Sequence, residues 1–289
     1  MDERAALSLV GDRVAAAGDD CAVVDDLVVT TDMLHETTDF PDGTSRYTAG
    51  WRSVGASLSD VAAMGAEATA AVAVYGAPRF DADEIAAFIE GCLDVCEAVD
   101  AEYVGGDLDG HEEFTVATTA FGKTDAPVYR SGASPGDAVC VTGTLGRSAA
   151  ALRRFEAGDA ERGNELFRFE PRVAAGRALA SHATAMMDSS DGLARSLHQL
   201  AAASDCGFAI EADAIPVAPA VETVADGPDD RRELAVHFGE DFELVATMPE
   251  TAVDAAAEAS PVALTRVGTV TESGVTMDGE ALPDRGYTH

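Results

Sequence analysis

The stretch MMDSSDGLARSL, Met186 to Leu197, joins an apolar run to an amphipathic one across two aspartates, two serines and a glycine. Upstream, ATAMM (Ala183–Met187) is short and apolar, the signature of a buried strand. Downstream, Leu193, Leu197 and Leu200 recur at spacings of four and three, one face of a helix. A buried strand that turns through glycine straight into a helix is a building unit of mixed architecture. The stretch therefore predicts an α/β (α+β) fold, with a polar cluster at the junction. In such folds ligands gather where strands end and helices begin, because the helix N-terminus offers free N–H groups. A plain helix cap would explain one Ser or Asp before the helix. It does not require the whole set.

The same alternation runs outward in both directions. CAVVDDLVVTTD reads as a strand pair with a tight Asp-Asp turn. Tyr47, Trp51, Val54, Leu58 and Val61 mark one face of a long helix over about residues 45–64. ATAAVAVYG is a strand, DADEIAAFIEGCLDVCEAV a helix with acids in its first turn, EYVGGD a short strand running into a glycine turn, and EFTVATTAFG an alternating strand. SGASPGD, Ser131 to Asp137, clusters Gly, Pro and Ser between two strand-like runs. It divides the chain into mixed halves at 1–132 and 133–289. In the second half DAVCVTGTLG is a strand and glycine turn with a helix from about Arg147, and PRVAAGRALASH is a helix opened by Pro171. DFELVATMP, VALTRVGTV and GVTMDG supply further strands.

Composition narrows the function. The chain of 289 residues has 47% hydrophobic residues, enough for a packed core. Its 52 acids against 19 Lys and Arg give −33, and Lys123 is the sole lysine. Such a surface suits a salt-loaded cytoplasm, where screening relieves self-repulsion. It opposes nucleic-acid binding, which needs cations along the phosphates. No run approaches the ~20 apolar residues of a membrane helix, and MDERAALSLV has no leader pattern. These features predict a cytoplasmic protein without membrane or nucleic-acid partners. The five cysteines form no CxxC pair, and the histidines show no zinc spacing.

Most of the acids are solvated surface, but some stand where a surface acid is odd. Asp20 precedes an apolar strand, Asp32 ends the strand LVVTTD, Asp107 follows a glycine pair, and Asp188 and Asp191 follow ATAMM. Asp60 lies within a helix on the face of Ser53, Ser57 and Met64, away from Trp51. Together they predict a converging carboxylate cluster. Crowded carboxylates take up protons unless cations hold them, and an oxygen-only set favours Mg2+ over zinc. Several Mg2+ ions in turn suggest a polyphosphate substrate. A calcium loop at DLDGHEEFTVAT fails, because its sixth and twelfth places are Glu112 and Thr118 rather than Gly and Glu. VTGTLG, Val141 to Gly146, is a glycine turn whose N–H groups can face an anion. Arg130, in VYRSGASPGD, is a better candidate phosphate partner, against the default reading of a solvated surface arginine.

At GDDCAV, TTDML, SLSDVAAMGA, GGD, RSGASPGD, VTGTLG, DSSDGL and GEDFEL, in that order, the chain resembles the thiamine-monophosphate kinase family of the AIR-synthetase-like superfamily. The resemblance implies that ATP and thiamine monophosphate give ADP and thiamine diphosphate. It implies an N-terminal half that dimerises through its sheet, a homodimer, and ATP lying between the halves. It marks Asp20, Thr30, Thr31, Asp32, Asp60, Asp107, Asp188 and Asp191 as metal contacts. It marks Thr31, Gly106, Asp107, Arg130 and Ser190 as nucleotide contacts, with Asp191 and Arg130 catalytic. Glu240 and Tyr287 are implied at the thiamine site. Bacterial members carry a histidine where this chain has Asp39, in TTDF, which places an acid toward the thiazolium cation. No nucleophile with a base partner is present, so direct in-line transfer is expected, with the acceptor phosphate ionised at its second pKa near ~6.

The charge carries its own test. Raising KCl from about 0.1 M to about 2 M is expected to raise the thermal midpoint, since screening shortens to a few ångströms. A midpoint that falls or stays flat across that series contradicts the reading.

Overall fold

Ala22–Val24 (β1) and Leu27–His35 (β2) form the expected antiparallel pair, with Val24 opposite Leu27 across the Asp25-Asp26 turn. Asp25 takes φ of 58°, a left-handed conformation that a short carboxylate side chain tolerates. The computed structural model describes residues 9–287 apart from 12 and 15. The first eight residues, including most of MDERAALSLV, lie outside the described residues. Next come helix Arg46–Ala63 (α1), strand Glu67–Ala77 (β3), helix Ala82–Glu97 (α2) and strands Glu102–Gly110 (β4) and Thr115–Lys123 (β5). The strands make one sheet in the order β1-β2-β5-β3-β4, with β3 and β4 parallel across α2.

Strand alternation sorts this sheet's side chains. Val28, Thr30 and Leu34 of β2 are buried, while Thr31 and Met33 point to the other face. Met33, Ala117 and Val74 lie side by side in register, and on that outward face Met33 is 56% and Val74 41% exposed. One expectation needs correction. EYVGGD does not stop at a glycine turn: β4 continues through Gly105 and Gly106 to Gly110. The long β3 ladder carries it, with Val74 beside Asp107 and Ala77 beside Gly110. A Cβ at Gly106 would stand 1.7 Å from the Ala73 carbonyl, so close strand packing demands that glycine.

The second sheet is built from Asp137–Thr142 (β6), Ala185–Asp188 (β7), Gly207–Ile210 (β8), Leu244–Pro249 (β9), Leu264–Thr271 (β10), Val275–Met277 (β11) and Glu280–Ala281 (β12). Their order is β12-β11-β8-β10-β6-β9-β7. Helices Arg147–Glu156 (α3), Ala160–Phe167 (α4), Val173–Leu179 (α5), Leu193–Ser204 (α6), Pro228–Val236 (α7) and Val253–Ala259 (α8) surround it. The helix expected from Pro171 begins at Val173, because Arg172 is the cap and the Pro171 carbonyl already accepts the Val173 N–H. No described helix is long and apolar enough to cross a membrane.

α1 departs furthest from its sequence reading. Its periodicity marks one apolar stripe, yet fourteen of its eighteen residues are buried. The first sheet and α2 cover one side, and α5 and β7 of the second half cover another. Small residues make this possible. A Cβ at Gly50 would lie 2.1 Å from the Phe88 carbonyl, and one at Gly91 of α2 would lie 2.0 Å from the Tyr47 carbonyl. The helices therefore touch backbone to backbone.

Gly91→Ala tests that contact. Ala favours an isolated helix by about 1 kcal/mol, but overpacking here is expected to cost more, a net loss of about 1–3 kcal/mol in urea unfolding. A stabilised variant would show that the helices do not meet this closely.

Candidate functional site

β1, α1 and β7 deliver three acids to one point. Asp20 precedes β1, Asp60 lies in the last turn of α1, and Asp188 ends β7. One carboxylate oxygen from each lies within 4.8 Å of the other two. Hydroxyls of the same elements orient them. Thr30 Oγ1 donates to Asp60 Oδ2 at 2.6 Å, Ser59 Oγ to Asp188 Oδ2 at 2.7 Å, and Ser57 Oγ to Asp32 Oδ2 at 2.7 Å. The alternation of β2 thus aims Thr30 and Asp32 at α1. Asp188 Oδ1 is buried without a hydrogen-bond partner.

The electrostatics follow from burial and like charge. Desolvation, then the charge of Asp20, raises Asp188 to about 7. Desolvation, then Asp32, Asp188 and Asp20, raises Asp60 well above the usual carboxylate range. Arg130 answers part of this charge. Its Nε and Nη2 donate to the two Asp20 oxygens at 3.2 and 2.7 Å. Its backbone N–H donates to Asp19, which burial and the Asp20 charge raise to about 6. The guanidinium read from the sequence as a phosphate partner is thus clasped to a cluster acid. Cys21 is buried beside the acids, and desolvation with their charge keeps its thiol protonated. An oxygen-only set with an orphaned buried carboxylate oxygen fits a hard divalent cation such as Mg2+.

Other expected residues stand elsewhere. Thr31 lies on the outward face of the first sheet, where its hydroxyl donates to the Thr118 carbonyl at 2.7 Å. Asp107 is in register with Val74 on that same face and is exposed, not gathered with Asp20, Asp60 and Asp188. Ser190 and Asp191 precede α6, as the opening stretch predicts. Ser189 between them and Asp188 is fully buried. Gly192 takes φ of 99°, and a Cβ there would stand 3.1–3.2 Å from the backbone at Gly239 and His237. VTGTLG does face an anion, but an internal one. The N–H groups of Gly146 and Ser148 donate to the Asp241 carboxylate, with Ser148 at 2.9 Å.

A second site opens beside the first. A cavity of about 730 Å³ is walled by Asp39, Leu152, Phe167, Phe238, Glu240 and Tyr287 among others. Asp39 is buried, and its Oδ2 accepts from the His35 N–H and the Thr38 hydroxyl, both at 2.7 Å. The Tyr287 hydroxyl donates to the Thr38 carbonyl at 3.0 Å, while its N–H donates to the Asp191 carbonyl at 3.0 Å. The C-terminal segment therefore ties the Asp188–Gly192 loop to the cavity wall. The Glu240 N–H donates to the Ser190 carbonyl at 2.6 Å. Sequence reasoning missed Arg52, which pairs with Glu240, and Ser59, which holds Asp188.

The raised acids set a pH dependence. The folded chain keeps a proton on Asp188 that the unfolded chain, with an ordinary Asp near ~3.9, has lost. Stability without divalent cation should therefore fall as pH rises from about 4 to about 7. Thermal melts in chelator are expected to show that fall, Asp188→Asn to flatten it, and added Mg2+ at neutral pH to reverse it. Identical wild-type and Asp188→Asn profiles would refute the assignment.

The chain matches the AIR synthase related protein N-terminal domain over residues 18–124 and the corresponding C-terminal domain over 134–278. It is 67% identical to thiamine-monophosphate kinase of Halobacterium salinarum across the full length of both chains. It is 39% identical to that of Methanospirillum hungatei, covering 86% of this chain and 84% of the other. The structure of AaThiL complexed with AMPPCP and TMP superposes with a TM-score of 0.90 at 27% identity, covering 99% of this chain and 96% of that one. Thiamine-monophosphate kinase from Stenotrophomonas maltophilia does so with a TM-score of 0.83 at 32% identity, covering 96% of each chain. With an oxygen-only acid cluster beside an acidic, aromatic-walled cavity, the chain belongs to the thiamine-monophosphate kinase family.

Proposed function

We propose that this chain transfers the γ-phosphoryl group of ATP directly to the phosphate of thiamine monophosphate, giving ADP and thiamine diphosphate. One observation carries the reading. The loop Asp188–Gly192 begins in the acid cluster and, through the Ser190 and Asp191 carbonyls, holds Glu240 and Tyr287 at the cavity. A donor at the first site and an acceptor at the second would meet across that loop.

The acceptor is a phosphate monoester with a second pKa near ~6, so its terminal oxygen is anionic at neutral pH without a base. That oxygen forms a bond to the γ-phosphorus as the bond from the γ-phosphorus to the bridging oxygen breaks and ADP leaves. No covalent enzyme intermediate is involved. The chain's task is then to align two anions and offset their repulsion. Asp20, Asp32, Asp60, Asp188 and Asp191, with Thr30 and the Thr31 backbone beside them, would hold Mg2+ ions that bridge and neutralise the polyphosphate. Arg130 orients Asp20 and adds positive charge to the same side. Ser190 and the N-terminus of α6 offer hydroxyl and N–H donors.

The nucleotide base suits a cleft of about 350 Å³ beside Gly106 and Asp107, lined by Tyr75, Ile85, Phe88 and Leu108. The aromatic wall of the large cavity, with Asp39 and Glu240, suits a cationic heteroaromatic ring. The exposed apolar face at Met33, Val74 and Val104 supports a homodimer formed through the first sheet. The division near Ser131–Asp137 separates the strands of the two sheets into an N-terminal and a C-terminal domain. An ATP-fed biosynthetic kinase of this charge belongs in a salt-rich cytoplasm.

The test is a chromatographic assay in molar KCl with Mg2+, ATP and thiamine monophosphate. Equal amounts of ADP and thiamine diphosphate are expected, and Asp191→Asn should lower kcat by about 10²-fold or more without a matching loss of folding. ATP consumed without thiamine diphosphate would overturn the assignment.

A further inference from the structure

Arg52 is fully buried in the middle of α1. Its Nη1 donates to the Phe167 carbonyl at 2.7 Å, and its Nη2 donates to the Glu240 carbonyl at 3.1 Å and pairs with the Glu240 carboxylate. The guanidinium carbon lies 3.6 Å from the Phe167 ring centroid, with Phe169 and Phe242 at 5.4 and 5.3 Å. Phe167 and Glu240 are both walls of the large cavity. One buried cation from the first half therefore grips two cavity walls of the second.

The gripped loop has reason to need holding. Glu240 and Phe242 take φ of 62° and 55°, left-handed conformations that non-glycine residues adopt only when neighbours enforce them. Asp241 between them is fixed by the N-terminus of α3, and Glu243 by Arg172 at 2.6 Å. Phe242 stacks on Phe169 with centroids 4.3 Å apart. The Glu240 backbone is also held, its carbonyl by the Ser148 hydroxyl at 2.5 Å and its N–H by the Ser190 carbonyl at 2.6 Å, while Arg52 pairs with its carboxylate. Stability alone does not call for a buried ion pair, which apolar residues of similar volume replace without loss. The same helix carries Asp60 eight residues further on, roughly 12 Å along the axis.

We infer that Arg52 is a positioning residue for the phosphate acceptor: it holds Glu240 and Phe167 in place at the cavity, at a distance from the acid cluster set by α1. The inference rests on the proposed reaction, in which Glu240 faces thiamine monophosphate. It acts on acceptor binding and not on ATP.

Steady-state kinetics, thermal melts and calorimetric titration of thiamine monophosphate on wild type, R52K, E240Q and R52K/E240Q test it. Lys keeps the charge but loses the fork that reaches two carbonyls and a carboxylate. R52K is expected to fold and to raise KM and Kd for thiamine monophosphate about tenfold, with KM for ATP within about twofold. E240Q should act in the same direction, and the double variant should be no worse than the worse single, since both act through one contact. The assignment is overturned if R52K fails to fold, matches wild type, raises both KM values alike, or multiplies with E240Q. Wild type that binds thiamine monophosphate without turnover would sink the proposed reaction while titration still decides the role of Arg52. Wild type that does not bind it would sink both.

Discussion

The helix Arg46–Ala63 has protein on nearly every side, and the rest of the molecule is arranged around that burial. A helix so placed must be thin, and Gly50, Ala49, Ala56, Ala62 and Ala63 make it so. It must also satisfy every polar group it carries inward, since an unpaired buried group costs about 1–3 kcal/mol. Ser53 returns its hydroxyl to the Ala49 carbonyl, Ser57 and Ser59 donate theirs to Asp32 and Asp188, and Asp60 accepts from the Thr30 hydroxyl. Packing and site construction are therefore one requirement. The element that joins the halves also aims the acids at one end and Arg52 at the cavity.

Two sets of buried acids share this seam, and they are treated differently. Asp241, Glu243 and Glu240 each meet positive charge from the chain: the N-terminus of α3, Arg172 and Arg52. Among the described residues Asp20, Asp60 and Asp188 share Arg130 as their cation, and Asp188 keeps one oxygen without a donor. Burial pushes acids of both sets toward protonation, Asp241 and Asp188 alike to about 7, so a raised carboxylate does not by itself mark a cation site. What sets the second apart is that three carboxylates converge within 4.8 Å around an oxygen that no donor satisfies.

Much of the site was legible because strand ends are legible. An acid directly after an apolar run marks an element boundary at Asp188, which ends β7, but not at Asp32, because β2 runs on to His35 along its β5 ladder. Asp60 was legible for a different reason: helical spacing set it on the face of Ser53 and Ser57. Failures came where a neighbour unseen in the sequence took control. Asp107 left the predicted turn because β3 offered β4 a longer ladder. VTGTLG met an anion, but the anion came from Asp241, 95 residues on from Gly146.

The sequence by itself determined the alternation of strands and helices, the acid at a strand end at Asp188 and the oxygen-only character of the donors. These depend on local periodicity and residue chemistry, which travel with the chain in any fold. Only the tertiary structure decided which acids meet, that Thr31 and Asp107 share the outward face, and that Arg130 and Arg52 serve carboxylates. Those outcomes depend on contacts between residues up to 188 positions apart, as for Arg52 and Glu240. No local pattern encodes such a pairing, because burial of both partners is a property of the packed halves and of neither segment alone.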